Sequence, residues 1–304
     1  MTRPILTNRA KLPQAIVDAV TNDSYSKGDA FRSVTELLKP PRISVLEAQH
    51  GPEIIEDASD RIWSLLGQSI HTILERANRT AIAERRLSID MEDVTISGAM
   101  DVYEENGTLI DYKITSVWKL VKGDLEEWEK QLNLYSVILR HHNHPVNKLQ
   151  VIAILRDWSK MEASRDPEYP QAQIVNIDIA LWEPEKAEKF MRERIILHKQ
   201  AEVTLPECTP EDRWARPDVF AVMKNGRKSA VRLYDTMNEA KAHAGFDRTL
   251  SVTHRPGVNI RCQAYCSVAS FCTQYKNLTS PDRQTDEVTE PVGPWTGFKI
   301  KSAE

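Results

Sequence analysis

The 304-residue sequence has no long apolar run. Its best, VIAIL at 151–155, is far short of the ~20 apolar residues a membrane-spanning helix needs. The opening MTRPILTNRAKLPQ lacks the apolar centre of a secretory signal, so a cytoplasmic protein with no membrane partner is expected. An excess of positive charge is missing too. Forty Lys and Arg against 44 Asp and Glu leave a formal net charge of −4. That argues against a protein that coats nucleic acid, and much less against an enzyme with a local basic surface. Cysteine is scarce, at four residues, and no internal repeat is present. In a cytosolic chain, four cysteines point to thiols or metal ligands rather than disulfides.

What is present is a succession of helical and strand patterns. Residues 1–30 join a short helical pattern, LPQAIVDAV, to a polar stretch, TNDSYSKGD, and read as a loosely attached arm. Pro40-Pro41 separates two short helices, SVTELLK and RISVLEAQH. A long amphipathic helix is expected over about 57–85, with Ile62, Leu65, Leu66, Ile70, Ile73 and Leu74 on one stripe. RLSID, VTISGAMDVY and TLIDYKIT read as strands, and WEKQLNLYSVILRHH as a second amphipathic helix. HHNHP at 141–145 fits a helix-terminating loop better than a ligand cluster. Two more strands, KLQVIAILRDW and QIVNIDIALW, precede a helix that opens with Glu and Pro, EPEKAEKFMRERIILHKQAEV.

This order predicts an α/β fold over 31–204, a mixed central sheet flanked by helices. Residues 205–276 read as a small C-terminal cysteine-bearing subdomain. It contains FAVMK-NG-RKSAVRLY, whose Asn-Gly suits a two-residue type I′ hairpin, a short helix around MNEAKAHA and a strand LSVTHR. Residues 277–304 have the Ser, Thr, Pro, Asp and Glu content of a flexible tail.

The stretch SGAMDVYEENGTLIDYKIT, 97–115, carries charge where a packed hairpin prefers apolar side chains. Asp111 and Lys113 share a strand face, because side chains alternate. If the loop is Glu105-Asn106-Gly107, Glu104 pairs with Thr108 and Asp101 falls opposite Asp111. A two-residue Asn-Gly loop would turn Asp101 away. The three-residue loop with a left-handed Gly107 is the expected one. Two neighbouring carboxylates repel unless something cationic sits between them, and a hard divalent cation takes such oxygens readily.

Gly98 to Asp101 as G-x-x-D, followed by D-Y-K at 111–113, resembles the core of the PD-(D/E)XK nuclease superfamily. GQSIHTILE, with His71 and Glu75 one turn apart, resembles the G-x-x-x-H-x-x-x-E motif of its RecB-like branch. Gln131 and Tyr135 in QLNLY resemble that branch's Q-x-x-x-Y motif. The resemblance covers roughly 33–160. It implies a restriction-endonuclease-like core and a Mg²⁺- or Mn²⁺-dependent DNA exonuclease of a bacterial cell or phage-infected host, working in recombination, repair or phage DNA processing. It implies His71, Asp101, Asp111 and the Tyr112 backbone carbonyl as metal ligands, with Lys113 supporting the nucleophile and Glu75 behind them. Gln131 and Tyr135 would position DNA. Thr115 and Ser116 are further candidates for phosphate, as are Lys119, Lys122, Arg140 and Lys148.

Cys262, Cys266 and Cys272 are spaced C-x3-C-x5-C, with Cys208 apart. A lone cysteine and a trio are similar to the iron–sulfur nucleases of the RecB-like group, of AddB type or associated with CRISPR adaptation. In those a [4Fe–4S] cluster staples the nuclease domain. This chain departs from them in having no cysteine before the core and in opening its trio C-x3-C. A [4Fe–4S] cluster, Zn²⁺ and free buried thiols all remain open. The rival from another class is a non-catalytic DNA-end or partner-binding module held by a cysteine-bound metal. The tail segment GPWTGFKI is a candidate for docking a recombination or CRISPR partner.

Overall fold

The computed structural model describes residues 4–21, 27–77 and 82–279, the side chains of 82–85 excepted. The N-terminal part comprises β1 (Ile5–Thr7), α1 (Gln14–Thr21), β2 (Arg32–Ser33), α2 (Val34–Leu38), α3 (Pro41–His50), β3 (Ile55–Asp57) and α4 (Ile62–Ala77). The hairpin strands follow a leading strand, as β4 (Ile82–Met91), β5 (Val94–Tyr103) and β6 (Thr108–Thr115). Next come α5 (Val117–Val121), α6 (Glu126–His141), β7 (Lys148–Leu155), α7 (Lys160–Arg165), β8 (Ile174–Ile179) and α8 (Pro184–Val203). The C-terminal part holds β9 (Ala215–Arg216), β10 (Val219–Lys224), β11 (Arg232–Tyr234), α9 (Met237–Ala244) and β12 (Leu250–Arg255). It closes with β13 (Val258–Asn259), α10 (Ile260–Ala264) and α11 (Thr273–Leu278).

The main sheet is mixed, as expected. Its order is β2-β5-β6-β7-β8, with β4 antiparallel on the other edge of β5. β6 and β7 are parallel, which requires a crossover, and α5 with α6 supplies it. Burial on β7 alternates: Leu149, Val151, Ala153 and Leu155 are fully buried and their neighbours are not. Leu132, Leu134, Ile138 and Leu139 of α6 belong to the same core, as do Ala187, Met191 and Ile195 of α8. Those α8 positions recur every fourth residue, the spacing of one helix face. The loss of water contact by these side chains is the main force holding helices to sheet.

Local chemistry fixes the element ends. Ser33 accepts from the Glu36 amide while the Glu36 carboxylate accepts from the Ser33 amide, a capping box that starts α2. Pro184 occupies the first turn of α8, where no hydrogen bond is lost. α6 ends at His141, as the 141–145 motif suggests, and Asn143 turns the chain with φ +60°.

Four expectations are corrected. The helix over 57–85 is shorter: α4 spans Ile62–Ala77, a 3-10 turn precedes it, and 82–85 already belong to β4. None of its stripe is buried, and Ile62, Leu66 and Ile73 are exposed. The N-terminal arm is tied down where it is described. β1 pairs in parallel with β3, and Thr7 and the Arg9 amide donate to the buried Asp57 carboxylate. Asn225-Gly226 does turn, with Gly226 at φ +80°, but inside a wider loop: Val222 pairs with Arg232, and β12 takes the other edge of β10. The cysteines do not belong to that three-stranded sheet. Cys208 and Cys272 pack with Val268 against Ile43 and Leu46 of α3, which joins this segment to the N-terminal helices. The GPWTGFKI segment lies outside the described residues.

Candidate active site

The hairpin turn decides the register, and it is the three-residue form. Glu104 donates its amide to the Thr108 carbonyl, and Gly107 sits at φ +85°. Tyr103 pairs with Leu109 and Val102 with Ile110, so one further step sets Asp101 opposite Asp111. Backbone pairing stops there. The Tyr112 amide, instead of entering the ladder, donates to Asp101 Oδ2 at 2.7 Å. The hairpin therefore opens where its carboxylates stand.

α4 runs along β6 and brings in the imidazole. His71 Nδ1 lies 3.2 Å from Asp101 Oδ1, and its ring meets Tyr112 edge-on at 6.2 Å between centroids. α6 brings the amide: Gln131 Nε2 donates to Tyr135 Oη at 3.0 Å and lies 3.4 Å from Asp111 Oδ1. Gly98 explains how α6 comes so near. A Cβ there would stand 2.9 Å from the Tyr135 ring and 3.0 Å from Ile138. The glycine of the G-x-x-D motif is thus a packing requirement for the Gln131–Tyr135 arm.

Asp111 is 3% exposed, and burial raises its pKa to about 6. The Asp101 charge adds to the rise, and the Lys113 ammonium opposes it. Burial works against the charge of Lys113 as well, but the Asp111 carboxylate outweighs it and the net shift is upward. Lys113 Nζ stands 2.8 Å from Asp111 Oδ2, an ion-pair distance. That ammonium is the charged partner Oδ2 has in its burial. A carboxylate so placed is costly and carries strong local potential.

The structure thus brings together His71, Asp101, Asp111, Lys113, Gln131 and Tyr135. The other candidates fall outside this group. Glu75 is exposed, one turn beyond His71 on α4. Thr115 lies at the end of β6, and Ser116 caps α5 with its hydroxyl donated to Asp157 Oδ2 at 2.6 Å. Lys148 is at the turn end of the sheet, opposite Thr108, and ion-pairs with Asp178 at 3.0 Å. Lys119 lies 3.5 Å from Asp124, and Arg140 donates to Ser136. Sequence reading missed Asp157, which also accepts from the Val117 amide at 2.7 Å and so fixes the start of α5. Its signal was a carboxylate just past a strand end, in RDW. Trp63 and Arg156 were missed too; the guanidinium lies 4.3 Å from the Trp63 ring centroid.

Whether metal ions suit these residues is a matter of donors and spacing. Two carboxylates, an imidazole and a strand carbonyl are the donor types a hard divalent cation or its transition-metal relatives accept. Yet among the described residues no group of three or more His, Cys, Asp or Glu side chains is spaced to hold an ion as it stands. Lys113 occupies Asp111 and His71 occupies Asp101, so a cation entering here displaces those contacts. The donor chemistry fits a divalent cation, at the cost of those two contacts.

All four cysteines line one cavity of about 20 Å³, between α3 and the segment from 208 to 275. Arg42, itself buried, donates to Cys272 Sγ at 3.1 Å and to the Pro206 carbonyl at 2.9 Å. Burial pushes the Cys208 thiol up to about 12 and raises Cys262 and Cys266 as well. A set of four sulfur donors is chemically right for zinc or an iron–sulfur cluster. The cavity is small, and among the described residues the thiols are not spaced to hold an ion as they stand, so zinc and a four-iron cluster alike require them to rearrange.

No protein-family model matches the chain, nor does any curated protein sequence. Among solved structures, SSO0001 is similar at 18% identity and a TM-score of 0.42, over 60% of this chain and 84% of the other. An assigned exonuclease of Eubacterium rectale is similar at 10% identity and a TM-score of 0.30, over 49% and 54%. A phage-related exonuclease of Haemophilus somnus 129PT is similar at 11% identity and a TM-score of 0.30, over 63% and 81%. Likenesses this distant leave the chemistry to be read from the residues themselves. No helix among the described residues is long and apolar enough to cross a membrane.

Proposed function

We propose that the protein is a metal-dependent nuclease that hydrolyses DNA phosphodiester bonds from strand ends. One observation carries the reading: Asp111, 3% exposed, stands beside Asp101 and Lys113 in an opened hairpin. A structural role explains such a cluster poorly, because burying one carboxylate next to a second costs stability even when a lysine is paired with it. His71, Asp101, Asp111 and the Tyr112 carbonyl would hold Mg²⁺ or Mn²⁺. When bound, the cation supplies Lewis acidity and lowers the pKa of water.

The chain's own residues do the rest. The Lys113 ammonium, freed from Asp111, is placed to stabilise charge developing on the phosphate oxygens. Gln131, held by Tyr135, orients Asp111. His71 and the Tyr112 amide each engage one oxygen of Asp101, which fixes the orientation of that carboxylate. The four cysteines, as a tetrathiolate zinc or [4Fe–4S] centre, would staple the C-terminal segment to α3 and so brace the core from behind.

The test is incubation of end-labelled linear DNA and of closed circular DNA with Mg²⁺, Mn²⁺ or EDTA. Loss of the linear form alone, dependent on the cation, is expected. Asp111→Ala should lower the rate at least a thousand-fold, about 4 kcal/mol at the barrier. Unchanged cleavage by folded, purified Asp111→Ala protein would refute the assignment.

A further inference from the structure

The end of the sheet beyond Lys113 carries an aromatic surface that the proposed hydrolysis does not use. Trp63 on α4 is 53% exposed, and Trp118 on α5 is 56% exposed. Two half-exposed indoles thus flank one end of the β6–β7 pair, close in sequence or in space to a cation. Their placement is fixed by the core. Arg156 donates its amide to the Thr115 carbonyl, at the end of the β6–β7 pair, and its guanidinium lies 4.3 Å from the Trp63 ring centroid. Trp118 follows Thr115 by three residues, and its amide donates to Ser116 Oγ at the start of α5. The Asp157 carboxylate next to Arg156 is turned to Ser116 and Val117, so Arg156 presents the local positive charge.

The same two elements that build the carboxylate site build this one. On α4, His71 stands at the level of Tyr112 and Trp63 at the level of Arg156. Eight helical residues separate them, about 12 Å. On β6, Asp111 and Thr115 are four residues apart, about 13 Å. By these rises Trp63 lies about 12 Å along α4 from His71, and the strand end that leads into α5 and Trp118 lies about 13 Å along β6 from Asp111.

We infer that Trp63 and Trp118 form a stacking platform for unpaired bases, with Arg156 on the adjoining phosphate, and that the enzyme takes single-stranded DNA. The inference rests on the nuclease reading for its location but not for its test. Paired bases are stacked on one another and have no free face to offer a tryptophan, whereas successive unpaired bases do. A cation beside an aromatic ring is the pairing that follows such a strand, the ring taking the base and the cation the backbone.

Binding is measured in EDTA, so that no cleavage is required, with a fluorescent single-stranded oligonucleotide of mixed sequence and a blunt duplex of the same sequence. The Trp63→Ala/Trp118→Ala double variant is expected to lose at least ten-fold in affinity for the single strand and under three-fold for the duplex. Trp63→Phe/Trp118→Phe, which keeps two aromatic faces, is expected to retain single-strand affinity to within about three-fold. Circular dichroism establishes that both variants fold. Unchanged single-strand affinity in the alanine variant overturns the platform, as does an equal loss on duplex. A loss in the phenylalanine variant as large as in the alanine variant overturns stacking as its basis. Failure of the wild-type protein to cleave any DNA with Mg²⁺ or Mn²⁺ is a separate result, which sinks the nuclease reading alone.

Discussion

Replacing Gly98 by alanine adds one methyl group, and the structure says where it goes. The new Cβ would lie 2.9 and 3.0 Å from two atoms of the Tyr135 ring and 3.0 Å from the Ile138 side chain. Neither neighbour has room to withdraw: Tyr135 is 5% exposed and Ile138 is fully buried. Overpacking of this kind costs about 1–3 kcal/mol. Alanine recovers roughly 0.5–1 kcal/mol of that, through the reduced freedom of the unfolded chain. A net loss of about 1–2 kcal/mol is expected, read as a lower denaturation midpoint at unchanged slope. Activity should fall as well, because Tyr135 holds Gln131 against Asp111. Gly67→Ala is the control. That glycine lies within α4 with nothing within 4 Å of its Cβ position, and alanine there should add about 0.5–1 kcal/mol. A second control removes the obstacle: in a Tyr135→Leu background, Gly98→Ala should cost measurably less than in the wild type. A Gly98→Ala protein as stable as the parent, or an equal cost in both backgrounds, would refute the steric argument.

Two further outcomes are expected. His198, fully buried beneath Leu37, has its pKa lowered to about 4, chiefly by burial and further by the Arg194 and Arg32 charges. Its contribution is therefore present above pH ~6.5, the unfolded value, and is lost as pH falls through about 4, up to roughly 3 kcal/mol. His198→Leu should flatten the stability profile between those limits, and an unchanged acid slope by denaturant titration would disprove the assignment. The cysteine centre predicts bound metal in freshly purified protein, near one zinc or about four iron atoms per chain. Cys208→Ser should abolish it and lower the melting temperature; metal-free wild-type protein whose stability Cys208→Ser leaves unaltered would dispose of the centre.

How much of this was written in the sequence depends on the range of each interaction. The Glu105-Asn106-Gly107 loop was legible because a left-handed glycine and the alternation of strand side chains are local facts, and together they set one register. The same reasoning misjudged Asn225-Gly226. Only Gly226 takes the left-handed conformation that a type I′ turn asks of both residues, and the ladder to β11 begins only at Val222 and Arg232. On α4, the 3.6-residue period reported a sided helix and could not report whether anything covers that side. Its upstream half, with Trp63, faces outward beside Arg156. Periodicity likewise could not say where α4 stops, because short apolar runs serve helix and strand equally, and 82–85 became β4.

The convergence of Cys208 on the C-terminal trio lay beyond such reasoning. Cys208 and Cys262 are separated by a whole three-stranded sheet, and what unites them is the cavity they line together with Ile43 and Leu46 of α3. Arg42, from the same helix, reaches Cys272 and Pro206 at once, spanning both sides of the cavity. A guanidinium is a permanent donor and cannot give up its charge inside the protein. Buried here, it donates to Cys272 Sγ, the Pro206 carbonyl and Thr273 Oγ1 rather than to a carboxylate, and desolvating it is costly. Thiolate sulfur on a metal would supply a negative partner. The position of Arg42 is therefore a reason, independent of cysteine spacing, to test for a charged sulfur centre.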